Sequence, residues 1–101
     1  MKPPKKIRVG PHDVSIIPMP EEHEATHHGA WKHDLMVIWL ARSFPHKSLA
    51  VDTLLHELTH CVIDMFDLAL DQGEEKFIGP FATAMTQVLR DNPKLVAWIM
   101  K

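Results

Sequence analysis

Apolar positions near the start of the chain recur at every second residue. Ile7 and Val9 flank Arg8, and Val14 and Ile16 flank Ser15. Successive side chains of a strand point to opposite faces, so this spacing predicts two short strands. Gly10-Pro11-His12-Asp13 between them is turn chemistry. Pro18 and Pro20 end the second strand, because proline has no amide hydrogen to give to a ladder. Residues 20–34 are polar, carry His23, His27, His28 and His33, and read as a loop. Residues 35–40 form a continuous apolar run of β-forming residues, which predicts a third strand buried on both faces. Residues 42–47, with Pro45, make a connector.

From residue 48 the period changes. Leu54, Leu55, Leu58, Val62, Met65, Phe66 and Ala69 recur at spacings of three and four, which predicts an amphipathic helix of about five turns. Ser48 is its expected N-cap, its end is expected near Leu70, and Gly73 marks the break. Asp71 and Glu74 have the spacing of a capping box for a second helix. Its apolar face is Phe77, Phe81, Met85, Val88 and Leu89. Pro80 predicts a kink, or a restart with proline in the first turn. Asn92-Pro93 reads as the N-cap and first residue of a final helix over 93–100. The expected fold is α+β: a short three-stranded sheet packed on a long helix and a second helix.

With 101 residues the chain is expected to form one domain, 1–101, with 1–5 as a flexible basic tail. Its hydrophobic share of 46% and charged share of 24% exclude a disordered or collagen-like protein. A chain this short leaves no room for a second domain to wall a deep cleft, so any chemistry must sit on two or three packed elements. The net charge of −2 argues against a general nucleic-acid binder. Lys2, Lys5, Lys6 and Arg8, with Pro3 and Pro4, read as a solvated tail. A lone cysteine, Cys61, forms no internal disulfide and suits a reducing compartment. The start has no apolar stretch of signal-peptide type, and the longest apolar run, 35–41, falls far short of the ~20 residues of a membrane span. A soluble cytoplasmic protein is expected, with no membrane partner and its oligomeric state open.

His56-Glu57-Leu58-Thr59-His60 lies within the long helix. Residues four apart share one helical face, so both imidazoles are placed to bind one Zn²⁺. Glu57 is turned about 100° from His56 around the axis. There it is a poor ligand but well placed to take a proton from a water activated by the metal, and later to give it to a leaving amine.

A catalytic zinc site needs a third protein ligand and an open position. Glu74 and Glu75 at the start of the second helix are the candidates. Glu75 is preferred because Ile78, Gly79 and Ala82 on its face are mostly small, whereas Glu74 is better suited to the cap. Both are also ordinary first-turn carboxylates favoured by the helix dipole. Asp52 and Asp64, one turn before His56 and one after His60, are candidates to orient the imidazoles. Cys61 points about 100° from His60 and reads as a small buried hydrophobe rather than a ligand. The loop histidines are either a second metal site or simply exposed. Trp31, Trp39 and Trp98 are expected in the core.

The segment LLHELTHCV (residues 54–62), a short turn, then Glu74-Glu75 before a second helix, resembles the compact gluzincin zinc peptidases. More narrowly it is similar to small phage-encoded proteins of that type, in which a short sheet leads into the motif helix and an LRDNP segment closes the chain. Here that segment runs from Leu89 to Trp98, and the resemblance covers about residues 35–100. It implies His56 and His60 as zinc ligands, Glu57 as the base and Glu75 as third ligand. It also implies a peptide or protein substrate bound as an added strand on the sheet edge, with 35–40 as the candidate edge. Such enzymes often use a tyrosine or histidine to stabilise the oxyanion. The chain has no tyrosine, so His33 or His46 must act or that contribution is lost, on the order of 10²–10³ in rate. Weak or very selective hydrolysis and general peptidase activity both stay open.

Three functions are therefore weighed. The first is a minimal zinc metallopeptidase. The second is a non-enzymatic, zinc-stabilised phage structural or regulatory interaction module. The third is a DNA-associated factor acting through the basic N-terminus, whose mark is salt-dependent duplex binding.

Overall fold

Two residues, Gly10 and Pro11, reverse the chain between β1 (Lys6–Val9) and β2 (His12–Pro18). Gly10 has φ 57°, a value glycine adopts without a side-chain penalty. The computed structural model describes residues 2–24 (backbone only for Glu24) and 28–101. The remaining elements are α1 (Glu21–Glu24), β3 (Gly29–Lys32), a single 3₁₀ turn (His33–Leu35), β4 (Val37–Leu40), α2 (Lys47–Met65), α3 (Glu74–Asp91) and α4 (Pro93–Met100).

The sheet has four strands in the order β1-β2-β4-β3, one more than the periodicity predicts. β1 and β2 are antiparallel, β2 and β4 parallel, and β3 and β4 antiparallel. The added strand is β3, inside the stretch read as a loop. Its four residues Gly29-Ala-Trp-Lys32 are too few and too mixed to show alternation, and pairing with β4 creates it. β4 therefore lies inside the sheet, not at its edge as expected for 35–40; the edges are β1 and β3. Nor is β4 buried on both faces. Ile38 and Leu40 are buried while Val37 and Trp39 are half-exposed. The molecule is α+β with two layers. Ile7, Val9, Val14, Ile16, Ile38 and Leu40 turn one sheet face toward Leu54, Leu58, Cys61 and Val62 of α2, Ala84 and Val88 of α3, and Leu95 and Trp98 of α4.

α2 is shorter than its periodicity suggests and ends at Met65. Asp67 takes φ 50°, its amide bonds the Asp64 carbonyl, and the Leu68 amide bonds the Ile63 carbonyl. This pair of bonds closes a Schellman motif in which Asp67 fills the left-handed position usually given to glycine. Gly73 instead precedes α3, which starts at Glu74 without a side-chain cap, so Asp71 caps nothing. Ser48 is likewise inside α2; His46 holds the N-cap position without a side-chain bond. α3 continues through Pro80 as one helix. α4 spans the predicted residues, but Asn92 does not cap it through its side chain. That side chain accepts the Arg8 amide hydrogen at 2.7 Å and donates to the Arg8 and Val88 carbonyls at 2.9 and 2.6 Å. The α3–α4 junction is thereby fastened to β1. Among the described residues no helix is long and apolar enough to cross a membrane.

Candidate functional site

α2 turns Leu54, Leu58, Cys61 and Val62 into the core, which leaves His56 and His60 exposed on another face. Their ring centroids lie 4.9 Å apart with planes at 71°. Two imidazoles that each give one nitrogen at about 2.0–2.1 Å to one tetrahedral ion have centroids about 5 Å apart, so the pair has the separation zinc requires. Glu74 and Glu75 are exposed in the first turn of α3. Among the described residues no three His, Cys, Asp or Glu side chains are grouped to hold one ion. Among the described residues the two imidazoles are neighbours, and no third His, Cys, Asp or Glu is grouped with them.

Glu57 is half-buried and faces β3. Its Oε1 accepts the Trp31 backbone amide hydrogen at 3.1 Å. β3 can come this close because of Gly29. A Cβ there would stand 2.8 Å from Thr53 Cγ2 and 3.2 Å from Glu57 Cγ. The carboxylate of the motif is thereby tied to the outer sheet edge, where β3 borders a cleft of about 670 Å³. Glu57, His60, Ile63 and Asp64 form its helix side, and 29–32 its strand side.

The aromatic groups of this cleft were not anticipated. Trp31 is half-buried, packs against the core and also lines the cleft; Trp39 is a half-buried cleft wall outside the core; Trp98, only 2% exposed, is core as expected. The register pairs Trp31 with Ile38 and Ala30 with Trp39, so the two indoles lie on opposite sheet faces and the cleft wraps the β3 edge. His23 stacks on Trp39 at 5.4 Å, and Lys32 Nζ lies 4.8 Å from the same ring. The signal available in sequence was a large apolar residue, Trp31, isolated in a polar stretch. His28 packs against Phe44 at 5.9 Å, away from the motif pair. His27 lies outside the described residues.

Asp64 and His33 also meet at the cleft. The Asp64 carboxylate accepts from Trp31 Nε1 at 2.9 Å and is paired with His33 Nδ1. It orients β3-side groups, not the motif histidines. Asp52 is exposed on the turn before His56. Of the two oxyanion candidates, His33 is on the cleft side through Asp64, whereas His46 borders a different cavity. Cys61 is fully buried, and burial together with the nearby Asp64 charge pushes its thiol up to about 12, so it stays a neutral hydrophobe.

The hydrogen bond from Trp31, then that from His33, holds the Asp64 carboxyl below its ordinary 3.8. A carboxyl with a lowered folded pKa adds stability above its unfolded value and loses it as pH falls through the folded value. Asp64→Asn is therefore expected to flatten the acid limb of stability below about pH 4. The effect is small, because the group is well exposed. Thermal midpoints of both proteins between about pH 6 and pH 2 check this; parallel acid limbs would remove Asp64 from the account.

No family model matches the chain, and neither a curated protein nor a solved structure matches it.

Proposed function

We propose that the protein is a minimal zinc-dependent peptidase of gluzincin type. His56 and His60 would hold the metal and Glu75 would complete its protein ligands, with Glu74 as the alternative. The observation that carries this reading is the separation of the two imidazoles, 4.9 Å, next to a cleft that also contains Glu57. When bound, zinc would polarise the scissile carbonyl and make an attacking water more acidic.

The chain's own residues supply the rest. Glu57, turned toward the cleft and steadied by the Trp31 amide, accepts the proton of the attacking water and hands it to the departing amine. β3, the exposed edge beside α2, replaces 35–40 as the strand along which an extended peptide would lie. The Trp31 and Trp39 rings then give it apolar contact on either face of that edge. His33, oriented by Asp64, is the candidate for stabilising developing negative charge. The buried Cys61 thiol suits a reducing cytoplasm, that of the host cell if the protein is phage-encoded.

Zinc titration followed by elemental analysis tests the proposal. One zinc per chain is expected, lost in His56→Ala and His60→Ala and weakened in Glu75→Gln but not in Glu74→Gln. The zinc-loaded protein is expected to cleave an unfolded protein substrate. A chain that takes up no zinc at micromolar concentration would end this reading.

A further inference from the structure

A second cavity, of about 890 Å³, opens between residues 2–6, the end of β2, the β4–α2 connection and the start of α2. It shares no lining residue with the cleft lined by Glu57 and His60. Its walls are apolar: Ile16, Leu40 and Trp98 are buried, and Phe44 and Ala50 are half-buried. Its polar lining is basic, with Lys2, Lys5, Lys6 and Lys47 and, beside them, Arg42 and His46, and none of its described lining residues is acidic. The whole chain carries −2, so this lining opposes the overall balance.

We propose that this cavity binds a small amphipathic anion, with the apolar body inside and a carboxylate or phosphate head among the lysines. The size lies within the roughly 300–1,000 Å³ usual for small-molecule sites, which are apolar with a few placed polar groups. Lys2, Lys5, Lys6 and Lys47 all line this one cavity, and their summed positive field favours an anionic head over a neutral or cationic one. α2 starts at the same cavity with no acidic residue in its first turn and no side-chain cap, so its amide hydrogens add to the positive potential. Residues 2–5 take part in the site and do not merely trail from the sheet. Pro4 is buried, and the Lys5 carbonyl accepts the Ile16 amide hydrogen at 2.8 Å. A nucleic acid fits less well, since sequence-tolerant binding needs aromatic faces for bases to stack on. Trp98 is 2% exposed, with Lys47 Nζ 5.0 Å from its ring.

Isothermal titration of the full chain with dodecanoate, dodecyl phosphate and dodecyltrimethylammonium below micellar concentrations, and with inorganic phosphate and a single-stranded oligodeoxynucleotide, tests the proposal. Saturable one-to-one binding of dodecanoate or dodecyl phosphate is expected, with the carboxylate and phosphate arms telling the two head groups apart. The cationic amphiphile and bare phosphate are expected to bind at least about ten-fold more weakly. Lys6→Gln and Lys47→Gln, both exposed positions, are each expected to weaken binding about ten-fold with the thermal midpoint unchanged. Ala50→Phe narrows the cavity and is expected to lower affinity, whereas Glu57→Gln leaves it intact. Equal binding of both amphiphile charges, binding of phosphate as tight as that of dodecanoate, or binding of single-stranded DNA but no amphiphile would each overturn the proposal.

Discussion

Glu57→Gln is expected to lower kcat for peptide hydrolysis by about 10²–10⁴-fold, the usual contribution of a general base, while zinc stoichiometry stays at one. The substitution is a clean probe because of what Glu57 touches. Oε1 accepts the Trp31 amide hydrogen, and glutamine keeps an oxygen acceptor there. The contact between α2 and the sheet edge therefore survives, and what is lost is the capacity to take a proton. Turnover and metal content measured together decide the outcome. Zinc retained with turnover gone supports the peptidase. Full turnover in the variant would place the base elsewhere. If the parent protein binds zinc but cleaves nothing, and His56→Ala unfolds it, the metal serves structure, and the non-enzymatic module becomes the better account.

The largest effect on stability is expected far from that site. Asn92→Ala should lower the thermal midpoint by at least about 8 °C. Asn92 is only 8% exposed and makes three side-chain bonds to backbone, joining β1 to the end of α3. Alanine leaves the Arg8 amide hydrogen without its acceptor and the Val88 carbonyl without this donor. The Arg8 carbonyl keeps a second donor in Gln87 Nε2 at 3.1 Å. Each of the two buried groups left unpaired costs about 1–3 kcal/mol, so the total is about 2–6 kcal/mol. In a domain of this size each kcal/mol moves the midpoint by about 4–8 °C. Asn92→Asp should be no better, because it keeps the acceptor but turns a charge toward two carbonyls. Calorimetry on the three proteins is sufficient. A fall of only a few degrees would mean that water takes over the role of the side chain.

The Asn92 case also shows where reading the chain reaches its limit. Its position before Pro93 correctly marks the start of a helix, because that inference uses only neighbours in sequence. Its reach to Arg8 crosses 84 residues, and no local pattern encodes it. The same divide separates the elements. The β1–β2 hairpin and α2 follow from apolar spacing, and α4 follows from the Asn92-Pro93 pair. β3 exists because β4 offers it a partner, and α2 ends at Met65 because Asp67 just beyond it adopts the left-handed conformation usually given to glycine.

By itself the sequence determined the α+β class, the helix that carries His56, Glu57 and His60, the shared face of the two imidazoles, and the burial of Cys61. Each of these depends on helical or strand periodicity, a property of residues a few positions apart. Only the tertiary structure decided that β3 is the open edge, that Trp31 and Glu57 meet there, that Asp64 turns to His33, and that the N-terminal lysines line a cavity. Those arrangements join segments distant along the chain, and their geometry follows from packing the whole molecule at once.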